Sequence, residues 1–147
     1  MSIQSTKPQT LAYGLSDSPV GLAAWIIEKF HSWSGGGDLR HHFSEDELLT
    51  NIMIYWVTGT IGSSAHIYYE NSHSLPPLGH IEVPTALALF PSDILLPPKE
   101  WALRNLNITR WSMMPRGGHF AAMEDPEALA ADIRAFYRPL RSGEPTG

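Results

Sequence analysis

The second half of the sequence alternates between runs that favour strands and runs that favour helices, which restricts the fold more than any other feature. Residues 81–90 are β-compatible and contain Pro84, which predicts a strand with limited pairing near the proline. A short helix is predicted over 97–106, a second strand over 108–114 and a last helix from Asp125. This order implies two parallel strands joined by a right-handed crossover, and therefore part of an α/β sheet. The apolar stripe of the last helix consists of Leu129, Ile133, Phe136 and Leu140.

The first half of the sequence has helical periodicity instead. Residues 2–16 are polar and predict a loop with at most a turn or two of helix. Asp17 or Ser18 is placed to cap a helix whose first turn holds Pro19, where the missing backbone donor would have had no partner. This helix is expected to end before the glycines at 35–37.

Two further helices are predicted before the strands begin. Ser44 and Glu47 have the spacing of a capping box, in which each side chain accepts from the other residue's backbone N–H. A third helical face carries Ile61, Ala65 and Tyr68. We therefore predict an all-helical segment over residues 1–75, an α/β segment over 76–141 and a tail over 142–147.

Composition excludes several classes of function. The 147 residues carry a net charge of -5, and no basic cluster is interleaved with aromatic residues, so no nucleic-acid partner is expected. The absence of cysteine excludes disulfides and thiolate zinc sites. The sequence contains no run of about 18 apolar residues and no signal-peptide pattern at its start, which predicts a cytoplasmic protein.

Three histidines have a regular spacing that suggests a metal site at first sight. His66, His73 and His80 are spaced by seven, but the predicted helix ends between them and Pro76 and Pro77 interrupt its phase. We therefore predict no metal site and no cofactor.

Asp93 and His119 are the candidate catalytic pair, because each lies in a loop just after a predicted strand. Adjacent parallel strands bring such loops to the same edge of a sheet. An aspartate that accepts from one imidazole nitrogen leaves the other nitrogen to act as a general base. The alternative interpretation is structural, with Asp93 capping a turn and His119 partly exposed in a loop.

Five stretches of the sequence resemble the microsomal-type epoxide hydrolases of the α/β-hydrolase superfamily. They are residues 17–25 (DSPVGLAAW), 48–61 (LLTNIMIYWVTGTI), 83–85 (VPT), 90–91 (FP) and 116–122 (RGGHFAA). The resemblance implies a helical lid above an α/β core and the hydrolysis of an apolar epoxide by water. In this family an aspartate nucleophile opens the epoxide to a covalent ester, two lid tyrosines donate to the epoxide oxygen, and a histidine–acid pair activates water.

By this resemblance, three residues have implied roles. His119 is the implied general base, Asp93 is its implied orienting acid, and Tyr68 is one implied lid tyrosine. Tyr69 is the nearest alternative to Tyr68, but on a helix it faces about 100° away.

Other parts of the family's machinery have no match in the sequence. Neither the Gly-Gly-Asp-Trp-Gly motif of the nucleophile nor the oxyanion-stabilising His-Gly-Trp-Pro motif occurs. Asp38 is rejected as a substitute nucleophile, because it follows a helix and three glycines rather than a buried strand. Tyr13 does not match the second lid tyrosine and is interpreted as a packing residue.

We therefore expect the lid and the C-terminal part of an α/β-hydrolase, which needs a missing N-terminal half as its partner. The alternative is a non-catalytic remnant that binds a partner or an apolar ligand. A haloalkane dehalogenase or an esterase is a lesser alternative, because an ester hydrolase does not need the lid tyrosine.

Overall fold

A computed structural model of the protein describes residues 2–74 and 79–142. The boundary predicted between residues 75 and 76 lies outside the described residues. The predicted tail lies outside them too, apart from Ser142, which ends the last helix.

The described residues form two compact units. Residues 2–31 and 43–74 belong to the first unit, and residues 32–42 and 79–142 to the second. The short segment 32–42 therefore groups with the α/β part of the chain rather than with the helices on either side of it.

The first unit consists of helices, as predicted for this half of the chain. Within the described chain, no helix combines the length and the apolar character needed to cross a membrane. The helices are α1 (Ser2–Thr6), α2 (Pro8–Asp17), α3 (Pro19–Trp33, whose last two residues belong to the second unit), α4 (Glu45–Thr58) and α5 (Ile61–His73).

The loop predicted over residues 2–16 is wrong, because α1 and α2 cover almost all of this range. Pro8 lies in the first turn of α2, where the missing N–H costs no intrahelical hydrogen bond, so the proline starts a helix instead of breaking one. Pro8, Ala12 and Leu15 are buried, and both α1 and α2 pack against α5. Tertiary packing thus stabilises a segment whose polar composition suggested a loop.

The core of the first unit is a small apolar cluster whose buried members come from four helices. Leu15, Leu22, Ile52 and Ile61 are buried in contact with one another.

The predicted capping box at the start of α4 is confirmed: the N–H of Glu47 donates to Ser44 Oγ at 3.2 Å, and the N–H of Ser44 donates to Glu47 Oε2 at 2.8 Å.

The second unit contains a parallel two-stranded sheet, which confirms the predicted α/β order. β1 (Ile81–Leu89) pairs with β2 (Leu106–Met113), and the crossover contains the short helix α6 (Lys99–Ala102). The register shifts on both sides of Thr85, directly after Pro84. Because proline has no N–H to donate to the ladder, this irregularity is the one expected from the sequence.

Two helices follow β2: α7 (Ala121–Glu124) and α8 (Pro126–Ser142). The carboxylate of Asp132 in α8 accepts from Arg110 Nε at 2.8 Å and from Ser112 Oγ at 2.7 Å, both on β2. Burial alone would raise the pKa of Asp132, but these two hydrogen bonds and the charge of Arg110 outweigh it and hold the pKa below its ordinary value. The ion pair therefore ties the last helix to the sheet.

Candidate active site

The loops that follow β1 and β2 stay paired beyond the ends of the strands. Ser92 and Gly118 form an isolated parallel bridge, and the N–H of Ser92 donates to the carbonyl of Gly117 at 3.1 Å. Asp93 and His119 are the next residue in each loop. The backbone pairing therefore places Asp93 and His119 at the same edge of the sheet, as expected for loops that follow adjacent parallel strands.

The structure brings the side chains of Asp93 and His119 together. The distance between His119 Nδ1 and Asp93 Oδ1 is 2.8 Å, and the N–H of Ile94 donates to the same oxygen at 2.7 Å. A carboxylate can only accept, so Nδ1 carries the hydrogen and Nε2 of the neutral ring holds the lone pair. With 39% of the His119 side chain exposed, Nε2 is available to take a proton from water.

Trp33 and Phe120 limit how the imidazole can rotate. Both rings meet His119 edge to face, with centroid distances of 5.3 Å for Trp33 and 5.5 Å for Phe120. The backbone N–H of His119 also donates to the carbonyl of Trp33 at 2.7 Å. Residue 33 therefore contacts His119 through its ring and through its backbone.

Glycine is favoured at each of the two positions before His119, for a different structural reason at each. Gly117 has a φ of 96°, a left-handed conformation that favours glycine. A Cβ on Gly118 would lie 2.9 Å from the carbonyl carbon of Ser34 and would overlap the carbonyl oxygen of Trp33. The close approach of segment 32–42 thus requires glycine at position 118.

Glu124, at the end of α7, holds the backbone around His119. Its Oε1 accepts from the N–H of Gly118 at 3.0 Å and of Phe120 at 3.1 Å, and its Oε2 accepts from the N–H of Gly35 at 2.7 Å. The sequence reasoning missed this residue. No local pattern indicated it, because Gly35 is 89 positions away along the chain.

A second acidic residue anchors the beginning of the His119 loop. Asp125 is 5% exposed and accepts from Arg116 Nε at 2.7 Å and from the N–H of Ala128 at 3.2 Å. The side-chain hydrogen bond from Arg116, with the backbone one from Ala128, holds the pKa of Asp125 below its ordinary value. Asp125 therefore joins the loop to the first turn of α8.

Tyr68 lies on α5 in the first unit, with its side chain at the surface. No described residue hydrogen-bonds its hydroxyl. Its neighbour Tyr69 is engaged differently, since its ring stacks on His66 at 5.4 Å and on His73 at 4.1 Å between centroids. The two adjacent tyrosines are thus distinguished by their surroundings as well as by helical phase.

Asp38 has the surroundings of a helix cap and not of a nucleophile. It precedes a short 3₁₀ helix (Leu39–His41), and its Oδ1 accepts from the N–H of Arg40 at 3.0 Å. That backbone hydrogen bond lowers the pKa of Asp38. A nucleophile elbow requires a strand immediately before it, and Asp38 follows α3 and three glycines.

No group of three or more potential metal ligands comes together in the part of the chain that the structure describes. His66 and His73 are separated by the ring of Tyr69, and the carbonyl of Tyr69 engages His73 Nδ1 at 2.8 Å. The rings of His66 and His73 therefore take part in local packing along α5.

No protein-family model matches the chain. Epoxide hydrolase 1 from Sus scrofa is 49% identical to it over an alignment of 149 positions, which covers 92% of this chain and 33% of that protein. A putative epoxide hydrolase from Stigmatella aurantiaca is 44% identical over 142 residues, which span 95% of this chain and 32% of that protein. This chain is a relative of the epoxide hydrolases. It spans about a third of the length of these curated relatives.

The solved structures give the same result for the fold. The structure of juvenile hormone epoxide hydrolase from Bombyx mori superposes with a TM-score of 0.86 at 34% identity, and the match covers 96% of this chain and 39% of that one. The chain thus matches the C-terminal portion of epoxide hydrolases with the α/β-hydrolase fold, which confirms the predicted family and fold class. The catalytic roles of His119, Asp93 and Tyr68 stay predictions.

Proposed function

We propose that this chain supplies the water-activating part of an epoxide hydrolase that acts through a covalent aspartyl ester. The observation that carries the proposal is the 2.8 Å hydrogen bond between His119 Nδ1 and Asp93 Oδ1. With Asp93 ionised, this bond supports the tautomer with the hydrogen on Nδ1, and Nε2 of a side chain that is 39% exposed is then the acceptor that a general base needs.

His119 acts in the second step of the reaction. Nε2 takes a proton from water while the water oxygen attacks the carbonyl carbon of the ester. The bond between that carbon and the substrate oxygen then breaks, and the proton returns from His119 to the departing oxygen. The remaining proton of the water passes from the new carboxyl group to the tyrosine that donated in the first step, so the diol leaves with the nucleophilic carboxylate restored. Asp93 stabilises the imidazolium that exists between these events, because its negative charge faces Nδ1.

The first step requires groups that this sequence does not contain. We infer that the aspartate nucleophile, the oxyanion donors and a second tyrosine come from polypeptide equivalent to the part of the relatives that this chain does not match. Tyr68 donates to the epoxide oxygen as the ring opens.

The substrate class is an apolar epoxide, no cofactor or metal takes part, and the expected location is the cytoplasm.

The proposal is tested by supplying the missing part. The chain is combined with a separately produced N-terminal portion of the Stigmatella aurantiaca relative, and styrene oxide is offered as substrate. We expect diol formation with the unmodified chain. With His119→Ala we expect the ester to accumulate as a mass increase of one substrate on the N-terminal portion, because ring opening does not need the base.

The control for this experiment is His80→Ala, which removes an exposed histidine of the same unit and should leave both steps unchanged. Failure of His119→Ala to accumulate the ester, while diol formation persists, would contradict the assigned role.

The chain by itself should have no measurable turnover. Loss of the nucleophile of a catalytic triad costs on the order of a million-fold in turnover. Turnover by the chain alone that disappears with both His119→Ala and Asp38→Asn would contradict the proposal and make Asp38 the nucleophile.

A further inference from the structure

The backbone of the His119 loop is held by three consecutive amides. The N–H groups of Gly118 and Phe120 both donate to Glu124 Oε1, at 3.0 Å and 3.1 Å. The N–H between them, that of His119, donates to the carbonyl of Trp33 at 2.7 Å. Each backbone N–H from residue 118 to residue 120 therefore donates a hydrogen bond, and two of the three donate to the carboxylate of Glu124.

The same carboxylate reaches a second segment of the chain. Glu124 Oε2 accepts from the N–H of Gly35 at 2.7 Å. This segment also supplies the Trp33 carbonyl to which His119 is bound. Glu124 is thus a bridge between the two segments that surround the imidazole, and hydrogen bonds to an ionised carboxylate are roughly twice as strong as neutral ones.

The loop needs such a bridge because its own sequence gives it little stiffness. Gly117 and Gly118 have no side chains to restrict their rotation, and Gly117 adopts a φ of 96°. A shift of about 1 Å at position 119 is enough to lose a catalytic alignment. The contact between His119 and Asp93 lies at the end of this glycine hinge, so it depends on what fixes the backbone on either side.

We propose that Glu124 is the positioning residue that holds His119 against Asp93, a role that rests on the proposed function of His119 as the base. Each hydrogen bond that the Glu124 side chain accepts comes from a backbone N–H and none from the imidazole, so it acts on the base through the backbone. Removing its carboxylate leaves three amides without their acceptor, frees the loop and lets the imidazole leave Asp93.

The test measures the geometry of His119 directly and requires no turnover. Nitrogen-15 chemical shifts of histidine-labelled full chain, recorded at a pH where the rings are neutral, report which ring nitrogen carries the hydrogen. The His119 signal is identified by its absence in His119→Gln. Amide hydrogen exchange at residues 35, 118 and 120 is measured on the same samples, with Glu127→Gln, an exposed glutamate on α8, as the matched control.

We expect the unmodified chain to carry the His119 hydrogen on Nδ1. Glu124→Ala should move it mainly to Nε2 and accelerate exchange on the order of tenfold or more at all three amides, because hydrogen bonds to a charged group are lost. Glu124→Gln should restore the Nδ1 form, since its single oxygen can still serve Gly118 and Phe120, and should accelerate exchange at Gly35 alone. Glu127→Gln should change neither measurement.

Two results would overturn the proposal: an unchanged Nδ1 form of His119 in Glu124→Ala, or an unmodified chain without protection at residues 118 and 120. In the first case Glu124 has only a structural role. Neither result bears on the ester-accumulation experiment, so failure of the positioning role and failure of the proposed function can be distinguished.

Discussion

One carboxylate oxygen of Asp93, Oδ1, accepts from His119 Nδ1 at 2.8 Å and also from the backbone N–H of Ile94 at 2.7 Å. The aspartate is therefore fixed by its own loop before it orients the histidine. Because one oxygen serves both donors, the geometric role and the electrostatic role of Asp93 can be separated by mutation.

Asp93→Asn keeps an oxygen where both donors need an acceptor but removes the charge that stabilises the imidazolium. When this variant is combined with the N-terminal portion of the relative, we expect the ester to decay more slowly by a factor of about 10² or more, within the range that general-base catalysis contributes. The rate of ester formation should be unaffected. Rapid-quench mass spectrometry of the ester follows both steps. Asp17→Asn, at the exposed end of α2, is the control. Slower ester formation in Asp93→Asn would contradict a role of Asp93 in the second step alone.

Tyr68→Phe should slow the first step and not the second. Its hydroxyl is unbonded among the described residues, whereas the ring of Tyr69 is stacked between His66 and His73. We expect ester formation to slow about tenfold or more in Tyr68→Phe, because the departing epoxide oxygen loses a proton donor. Tyr69→Phe keeps the stacking and serves as control. A larger effect from Tyr69→Phe would exchange the two assignments.

Gly118→Ala should disrupt the His119 loop. The added Cβ meets the backbone of Trp33 and Ser34, which cannot move aside like a flexible side chain. We expect a local cost of at least about 1–3 kcal/mol, measured as faster amide exchange over residues 115–124. Gly14→Ala, in the interior of α2 with nothing within 4 Å, should instead be stabilising by roughly 0.5–1 kcal/mol. Equal exchange in Gly118→Ala and the unmodified chain would contradict the close packing.

The features that the sequence predicted correctly depend on short-range patterns or on a general rule of topology. The capping box of Ser44 and Glu47 is complete within four residues. The approach of Asp93 to His119 follows from parallel strands, whose carboxyl ends meet at one edge. Neither inference required knowledge of how distant segments pack.

The features that the sequence did not predict depend on long-range packing. Glu124 connects Gly35 to the His119 loop, and nothing near Glu124 in the sequence specifies that partner. The helix α2 was not predicted for a similar reason: its sequence is polar, and it packs against α5, which begins only at Ile61.

The isolated chain should associate in solution. Parallel strands are normally buried on both faces, yet most residues of β1 and β2 are only half-buried. Large apolar side chains such as Val20, Val57, Leu95 and Met113 are about 70% exposed or more. We expect concentration-dependent association in sedimentation velocity, reduced when the N-terminal portion of a relative is added. A monomer with a sharp, cooperative thermal transition would contradict this expectation.

The ion pair of Asp132 should make the packing of α8 on the sheet sensitive to acid. The folded pKa of Asp132 lies below its ordinary value of 3.8, so its stabilising contribution is fully present above that pH and is lost as the pH falls through the folded pKa. Asp132→Asn removes the charge that Arg110 faces and should cost about 2 kcal/mol at neutral pH.

The measurement for Asp132 is amide exchange over β2 and α8, corrected for the intrinsic effect of pH. Asp132→Asn should exchange faster than the unmodified chain at pH 7, and the difference should shrink below about pH 4, where the unmodified aspartate also becomes neutral. Asp46→Asn, in the first turn of α4, should leave β2 and α8 unchanged at both pH values. A difference that stays constant down to pH 3 would show that the charge of Asp132 does not stabilise this contact.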